Sequence, residues 1–439
     1  MRPSGNALIL FLFLTITALA LPFLQGFIMV WKVFAVVLVT LAIFDFLLIR
    51  QNVEIECERE VKQSVSVGAL SKVILRFKNL QDYNISVMIH DHYPDNSKVD
   101  VFPLKTTLPA KFEFTTTYDF LPQKRGDMVF KGVDLIVLSR FGLWWKKYFI
   151  KTEDRVKVFP NFREIKKYLL LATDNRLSRM GVKQKQRRGQ GNDFHQLREY
   201  RSGDSFRQIE WNATSKYRKL ISKEYQDERD QQIVFLIDCG RHMRHAQVNE
   251  SGHGQSHLDQ ALNAMLLLSY VASRQDDAVG FMTFGGINKW YPPKKGGNTV
   301  KHILNQVYDI HSSANAADYV VTAGKLLALQ KRRALIILIT NTRNEDHEDL
   351  ARAVHILNKR HLTILADLRE DVLDDARNQK IVNYETALRY QSVGAYIEDR
   401  RRNHKFLRHQ GIVTLDLLAK QLPAALVNNY LMIKASSKL

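Results

Sequence analysis

The chain has 439 residues, with 64 Lys or Arg against 45 Asp or Glu, a formal charge of +19. That length exceeds one core, so roughly two or three domains are expected, and the 45% apolar share excludes a disordered chain. Two distant cysteines, Cys57 and Cys239, exclude a disulfide framework, and the basic balance suits an anionic partner such as acidic lipid, nucleic acid or an acidic protein face.

Ala7–Leu24 carries no charge, and Phe27–Ile49 is interrupted only by Lys32 and Asp45. A bilayer-spanning helix needs about 20 apolar residues. Residues 1–50 therefore read as two transmembrane helices, about 7–24 and 27–49, joined by a tight turn at Gln25-Gly26. A cleaved signal peptide ending near Ala18-Leu19-Ala20 is the rival reading, and the continuation of the apolar run to Leu24 counts against it. The turn is uncharged while Arg50, Arg59 and Lys62 follow the second span, which places the remainder in the cytoplasm. Asp45 is expected at the membrane interface.

Residues 51–160 read as a β-sandwich. Val53, Ile55 and Cys57 alternate with Glu54, Glu56 and Glu58, and Val73-Leu75-Phe77 and Ile85-Val87-Ile89 repeat the period of two. Further strands are expected at Phe112-Phe114, Met128-Phe130, Val133–Leu138 and Val156–Phe159. The cluster Phe141, Trp144, Trp145, Tyr148 and Phe149 reads as core or a domain contact.

Residues 161–230 join the domains. Arg163–Leu177 has helical spacing. Arg176, Arg179, Lys183, Lys185, Arg187 and Arg188 follow without an acidic residue, as a solvated linker or as a strip for acidic lipid or an acidic partner. Nucleic acid is disfavoured, because no aromatics interleave the strip for base stacking.

Residues 231–439 read as a doubly wound α/β domain. Ile233–Met243, IVFLIDCGRHM, is a buried parallel strand ending at Asp238, on the rim where such sheets bind ligands. Helices are expected over 257–273, 299–310, 319–330, 350–358 and 417–431. Strands are expected over 277–284, 288–291 (stopped by Pro292-Pro293), 334–340, 362–368 and 412–415.

The block from Gly191 to Glu228 carries Asp193, Arg198, Tyr200, Asp204, Arg207, Trp211, Lys216 and Glu224 in a dense pattern of fixed types. With Arg125-Gly126, Phe141-Gly142-Leu143, Val158-Phe159-Pro160 and Tyr430-Leu431, it resembles the membrane proteins grouped as domain of unknown function 58. The resemblance implies a C-terminal von Willebrand factor type A-like domain. It also implies a MoxR-type AAA+ ATPase as partner, with an unknown client. The type A metal pattern is Asp-x-Ser-x-Ser with a distal Thr and Asp. Here only Asp238 keeps its type, while Gly240 and His242 replace the serines and Asn341 the second Asp. Hard divalent cations want such oxygens, so no Mg²⁺ and no other cofactor is expected. Asp238 is then left to cap a helix or to pair with an arginine of the block. His242, His245, His253 and His257 are a remote transition-metal set without standard spacing. In the block itself, Trp211 reads as a packing anchor inside a buried salt-bridge network, with a docking surface as the alternative. No nucleophile–base set, P-loop or zincin helix is present.

The expectation is a non-enzymatic bacterial inner-membrane scaffold that presents clients or a membrane complex to the ATPase. The rivals are a metal-dependent hydrolase using Asp238 and the nearby histidines, and a binder of anionic lipid or nucleic acid.

Overall fold

The computed structural model describes residues 1–20, 28–50, 53–160, 193–201, 204, 206–226, 231–248 and 254–436. The chain divides into two compact units, Met1–Phe159 and Pro160–Leu439.

In the first unit, helices α1 (Gly5–Ala20) and α2 (Ile28–Arg50) precede the strands. α2 alone among the described helices is long and apolar enough to cross a membrane. The Trp31 indole donates to Thr17 Oγ1 at 3.1 Å, so the two helices touch. The strands form layers around one core, antiparallel except where Ser64–Ser66 runs parallel to Asp154–Phe159. One sheet pairs Ile55–Glu60 with Ser71–Asn79 and Glu113–Pro122. Another pairs Leu104–Leu108, Ile85–Asp91, Val133–Leu138 and Trp144–Ile150. Val73, Leu75 and Phe77 point inward and their neighbours outward, because successive side chains on a strand face opposite ways. Arg59 is buried and forks onto Asp91, with Asp154 as a second partner, so the charge is paired rather than stranded.

Asp45 is not at an exposed interface. It is fully buried, and its carboxylate accepts the Ser139 hydroxyl at 2.5 Å and the Phe141 amide at 3.1 Å. Beside it, the Trp144 indole donates to the Ala42 carbonyl at 3.0 Å and the ring meets Phe46 edge-on at 5.3 Å. The end of α2 is thus bolted to the turn at 139–143. A carboxyl side chain in an apolar helix is tolerable where hydrogen-bond donors converge on it.

The second unit is built on a six-stranded sheet. Its strands are β1 (Gln232–Asp238), β2 (Ala278–Phe284), β3 (Trp290–Lys294), β4 (Leu335–Thr340), β5 (Leu362–Arg369) and β6 (Val413–Leu418), in the spatial order β3-β2-β1-β4-β5-β6. All neighbours are parallel except β2 and β3. β3 runs through Pro292-Pro293, where a stop was expected. As an edge strand it has no second partner, so the missing N–H groups cost no ladder bond. Every β1 residue from Ile233 to Asp238 is buried, because both faces are covered. Ile233, Phe235 and Ile237 meet helices α4 (His257–Ser273), α5 (Thr299–Val307) and α10 (Leu422–Ala435). Val234 and Leu236 meet α6 (Tyr319–Leu329) and α7 (His347–Asn358). Helix α3 (Trp211–Tyr217) lies outside this sandwich, beside the paired strands Asp193–Glu199 and Ile221–Gln226. A Ser256–Asp259 capping box starts α4. α10 is fixed by Tyr430 and Lys434, which both donate to buried Asp277 at the foot of β2.

Two further helices, α8 (Asp371–Asn378) and α9 (Tyr384–His409), are additional to those expected from the sequence. α8 buries nothing, and α9 buries side chains only from Ile397 onward.

Candidate functional site

The rim of the sheet holds the candidate site. Asp238 is fully buried, and both its oxygens are used. Oδ1 accepts the Gly240 amide at 2.7 Å, and Oδ2 accepts the Thr340 hydroxyl at 2.7 Å. The Tyr319 hydroxyl lies 2.9 Å from Thr340 Oγ1 and extends the chain of polar groups to α6. Burial raises the Asp238 pKa, and the bonds from Gly240 and Thr340 work against that shift. Asp238 therefore ties β1 to the end of β4 and to its own turn. Among the described residues it neither caps a helix nor pairs with an arginine, the two roles expected from the sequence. No local pattern links Thr340 and Tyr319 to Asp238, because that link depends on strand order.

A hard divalent cation of the type A kind does not fit here. A Cβ on Gly240 would lie 3.0 Å from Asp238 Oδ1 and 2.9 Å from the Asn315 carbonyl, and one on Gly285 would lie 2.8 Å from the same Oδ1. Backbone is packed where further ligands would need to stand. Gly285 also has φ +74°, so a side chain there would be strained. Asn341 faces away from Asp238, donating to Glu370 Oε1 at 2.9 Å.

His242 also has other business. Its Nδ1 lies 3.3 Å from Asp346 Oδ2, and its Nε2 accepts from Arg241 Nε at 3.1 Å. Arg241 in turn pairs with Glu345. His242, Glu345 and Asp346 offer ligand atoms within 4.8 Å of one another. The guanidinium donating into the imidazole supplies the positive charge of this group. The expected histidine set does not converge. His257 is fully buried and packs its ring 5.1 Å from that of His245, away from His242's partners, while His253 lies outside the described residues. Burial pushes the His257 imidazole down to about 4, with Glu370 opposing, so it is neutral.

Behind the rim, Asp367 is fully buried among Arg400 (2.8 Å), His404 (2.7 Å) and the Thr342 hydroxyl (2.6 Å). Burial raises its pKa, and Arg400 and His404 outweigh that, so it is lowered overall. Glu370 is likewise lowered overall, the Asn341 bond and Arg343 outweighing burial. These carboxylates are ionised and internally neutralised. They hold α9 and the strand ends together.

The signature block forms its own small frame. Arg198 forks onto Asp204 through two bonds of 2.8 Å, and the Arg201 amide adds a third at 2.9 Å. Arg198 lowers the Asp204 pKa, as a bidentate partner should. The Tyr200 hydroxyl donates to the Asp204 carbonyl at 3.0 Å, and Lys223 pairs with Glu210. The packing anchor is not Trp211. Trp211 is 66% exposed, Phe206 78% and Tyr217 61%, while the small interior is made by Ile209, Ala213 and Ile221. Lys216 is exposed as well. The side chains of Asp193, Arg207 and Glu224 lie outside the described residues, as do Arg176, Arg179, Lys183, Lys185, Arg187 and Arg188 and the helix expected over 163–177.

Comparison with known proteins addresses the same region. Residues 196–406 match the family described as Protein of unknown function DUF58. The matched stretch takes in most of the signature frame, the rim and most of α9. The uncharacterized protein YeaD of Bacillus subtilis is 20% identical over 279 residues, covering 62% of this chain and 64% of YeaD. Among solved structures, alpha-2-macroglobulin from Escherichia coli matches 24% of this chain and 16% of its own, with 14% identity and a TM-score of 0.20. A CARDB domain from Pyrococcus furiosus matches 24% of this chain and 93% of its own, with 15% identity and a TM-score of 0.18.

Proposed function

We propose that this chain is a non-enzymatic membrane-anchored adaptor. α1 and α2 cross the bacterial inner membrane as a pair and leave both folded units in the cytoplasm. The second unit acts as a degenerate von Willebrand factor A-like domain that presents clients, or a membrane complex, to a MoxR-type AAA+ ATPase. The observation that carries this reading is the structural use of buried Asp238: each of its oxygens accepts a hydrogen bond, from Gly240 or from Thr340, which joins strand ends and leaves the rim as a surface. The anchor is supported by the length of α2 and by the Asp45 clamp. The test is affinity purification of the detergent-solubilised full chain with and without ATP, read by mass spectrometry, beside Asp238→Ala and Arg198→Ala/Arg207→Ala variants. Co-purification of an AAA+ ATPase, released by a variant that stays folded, supports the adaptor. No ATPase under either condition refutes it.

One observation favours a second reading, metal-dependent hydrolysis: the grouping of His242, Glu345 and Asp346. Zinc at one equivalent, lost on His242→Ala, would carry that reading instead.

A further inference from the structure

The signature frame invests its residues the wrong way round for a packing unit. Among the described side chains, its apolar interior is Ile209, Ala213 and Ile221, while the large rings of Phe206, Trp211 and Tyr217 face water. Exposed Trp and Tyr are uncommon on a surface without a partner, and they dominate binding energy where partners dock. The frame is also stiff. The fork of Arg198 holds Asp204, the Glu210 amide donates to the Ile221 carbonyl at 2.9 Å, and the Ile221 amide donates to Thr214 Oγ1 at 3.0 Å. Tyr200 stacks on Phe206 at 6.1 Å with planes 27° apart, which orients the outermost ring. Rings held this way lose little freedom on binding.

Charge indicates what covers them. Lys216 and Arg218 flank the rings, are exposed, and form no ion pair among the described residues, whereas Lys219 and Lys223 are paired with Glu199 and Glu210. Among the described residues, the unpaired surplus beside the rings is therefore positive. Trp211 and Tyr217 stand six residues apart on α3, so they project roughly 120° apart around the helix axis, and Phe206 comes from the separate turn Phe206–Gln208.

We infer that Phe206, Trp211 and Tyr217, with Lys216 and Arg218, form a docking face for an acidic segment of a partner protein that also carries apolar side chains. This deepens the adaptor reading and rests on it, by naming the face and the chemistry of the partner.

The test uses the full chain in phosphatidylcholine nanodiscs, panned against a random 12-residue peptide display library. The wild type is expected to enrich peptides rich in Asp and Glu with interspersed apolar residues. Trp211→Ala and Phe206→Ser lie on different elements, and each is expected to weaken the enriched peptides at least tenfold with an unchanged melting profile. Lys216→Glu/Arg218→Glu is expected to abolish the acidic selection. Enrichment of neutral or basic peptides, or binding indifferent to Trp211, overturns the inference. So does a tenfold, Trp211-dependent gain in binding to phosphatidylglycerol vesicles, which would make the face a lipid contact. A purified MoxR-type ATPase separates the two levels. If it binds the wild type and Trp211→Ala equally, this face is refuted and the adaptor reading stands. If it does not bind the wild type, the adaptor reading fails while the peptide result still decides the face.

Discussion

Asp238 offers the sharpest test of whether the rim is a structural joint or a metal centre. Asp238→Ala removes the acceptor for the Gly240 amide and the Thr340 hydroxyl, both at 2.7 Å and both buried. Hydrogen bonds to a charged group are worth about 1.5–3 kcal/mol each, and the two donors would be left unpaired. Part of that loss is returned, because the carboxylate no longer has to be desolvated, the cost that raises its pKa. The net expectation is a loss of about 3 kcal/mol. For a unit of this size that lowers the melting temperature by roughly 6–12 °C. Asp238→Asn behaves differently. Its oxygen still accepts from Gly240, and its amide donates to Thr340 Oγ1, whose hydroxyl turns to Tyr319. The expected cost is below about 1 kcal/mol. The assay is thermal melting of the detergent-solubilised full chain, with and without millimolar Mg²⁺ or Mn²⁺. A wild-type protein stabilised by several degrees on adding the metal, with that gain lost in Asp238→Asn, would refute the reasoning. So would equal damage from the Asn and Ala variants.

Gly240→Ser restores one hydroxyl of the type A metal pattern, yet it is expected to destabilise rather than create a metal site. Its Cβ would press the Asn315 carbonyl and Asp238 at 2.9 and 3.0 Å; isothermal titration with Mg²⁺ and a melting scan check this. Burial holds His257 at a pKa of about 4, against roughly 6.5 when unfolded, with Glu370, His245, Arg343 and Arg400 around it. Its share of stability is therefore fully present above pH 6.5 and is lost as pH falls towards 4, by about 3 kcal/mol in total; denaturation curves across that window should lose this slope in His257→Gln. Asp45→Leu strips the acceptor from Ser139 and from the Phe141 amide. Amide exchange over 139–144 is expected to quicken at least tenfold, with exchange in the Val73–Phe77 strand unchanged.

What the sequence determined on its own is the part governed by local periodicity. Alternation such as Val73-Leu75-Phe77 marks a half-buried strand, and the unbroken run Ile233–Ile237 marks one buried on both faces, because side-chain direction follows backbone geometry. Length and apolar content marked α2 in the same way. The position of Asp238 at a strand end was also legible, and so was the absence of hydroxyls at Gly240 and His242. Only the tertiary structure decided what those residues touch. Thr340 lies 102 positions from Asp238 and reaches it because β4 pairs with β1. Asp45 meets Ser139 across 94 positions, which turns an expected interfacial charge into a buried joint. Trp211 reads as core from its size and its charged neighbours, yet it faces solvent, while the described interior of the two-stranded frame is formed by Ile209, Ala213 and Ile221. Partners and burial are properties of distant chain segments brought together, and no local pattern encodes them.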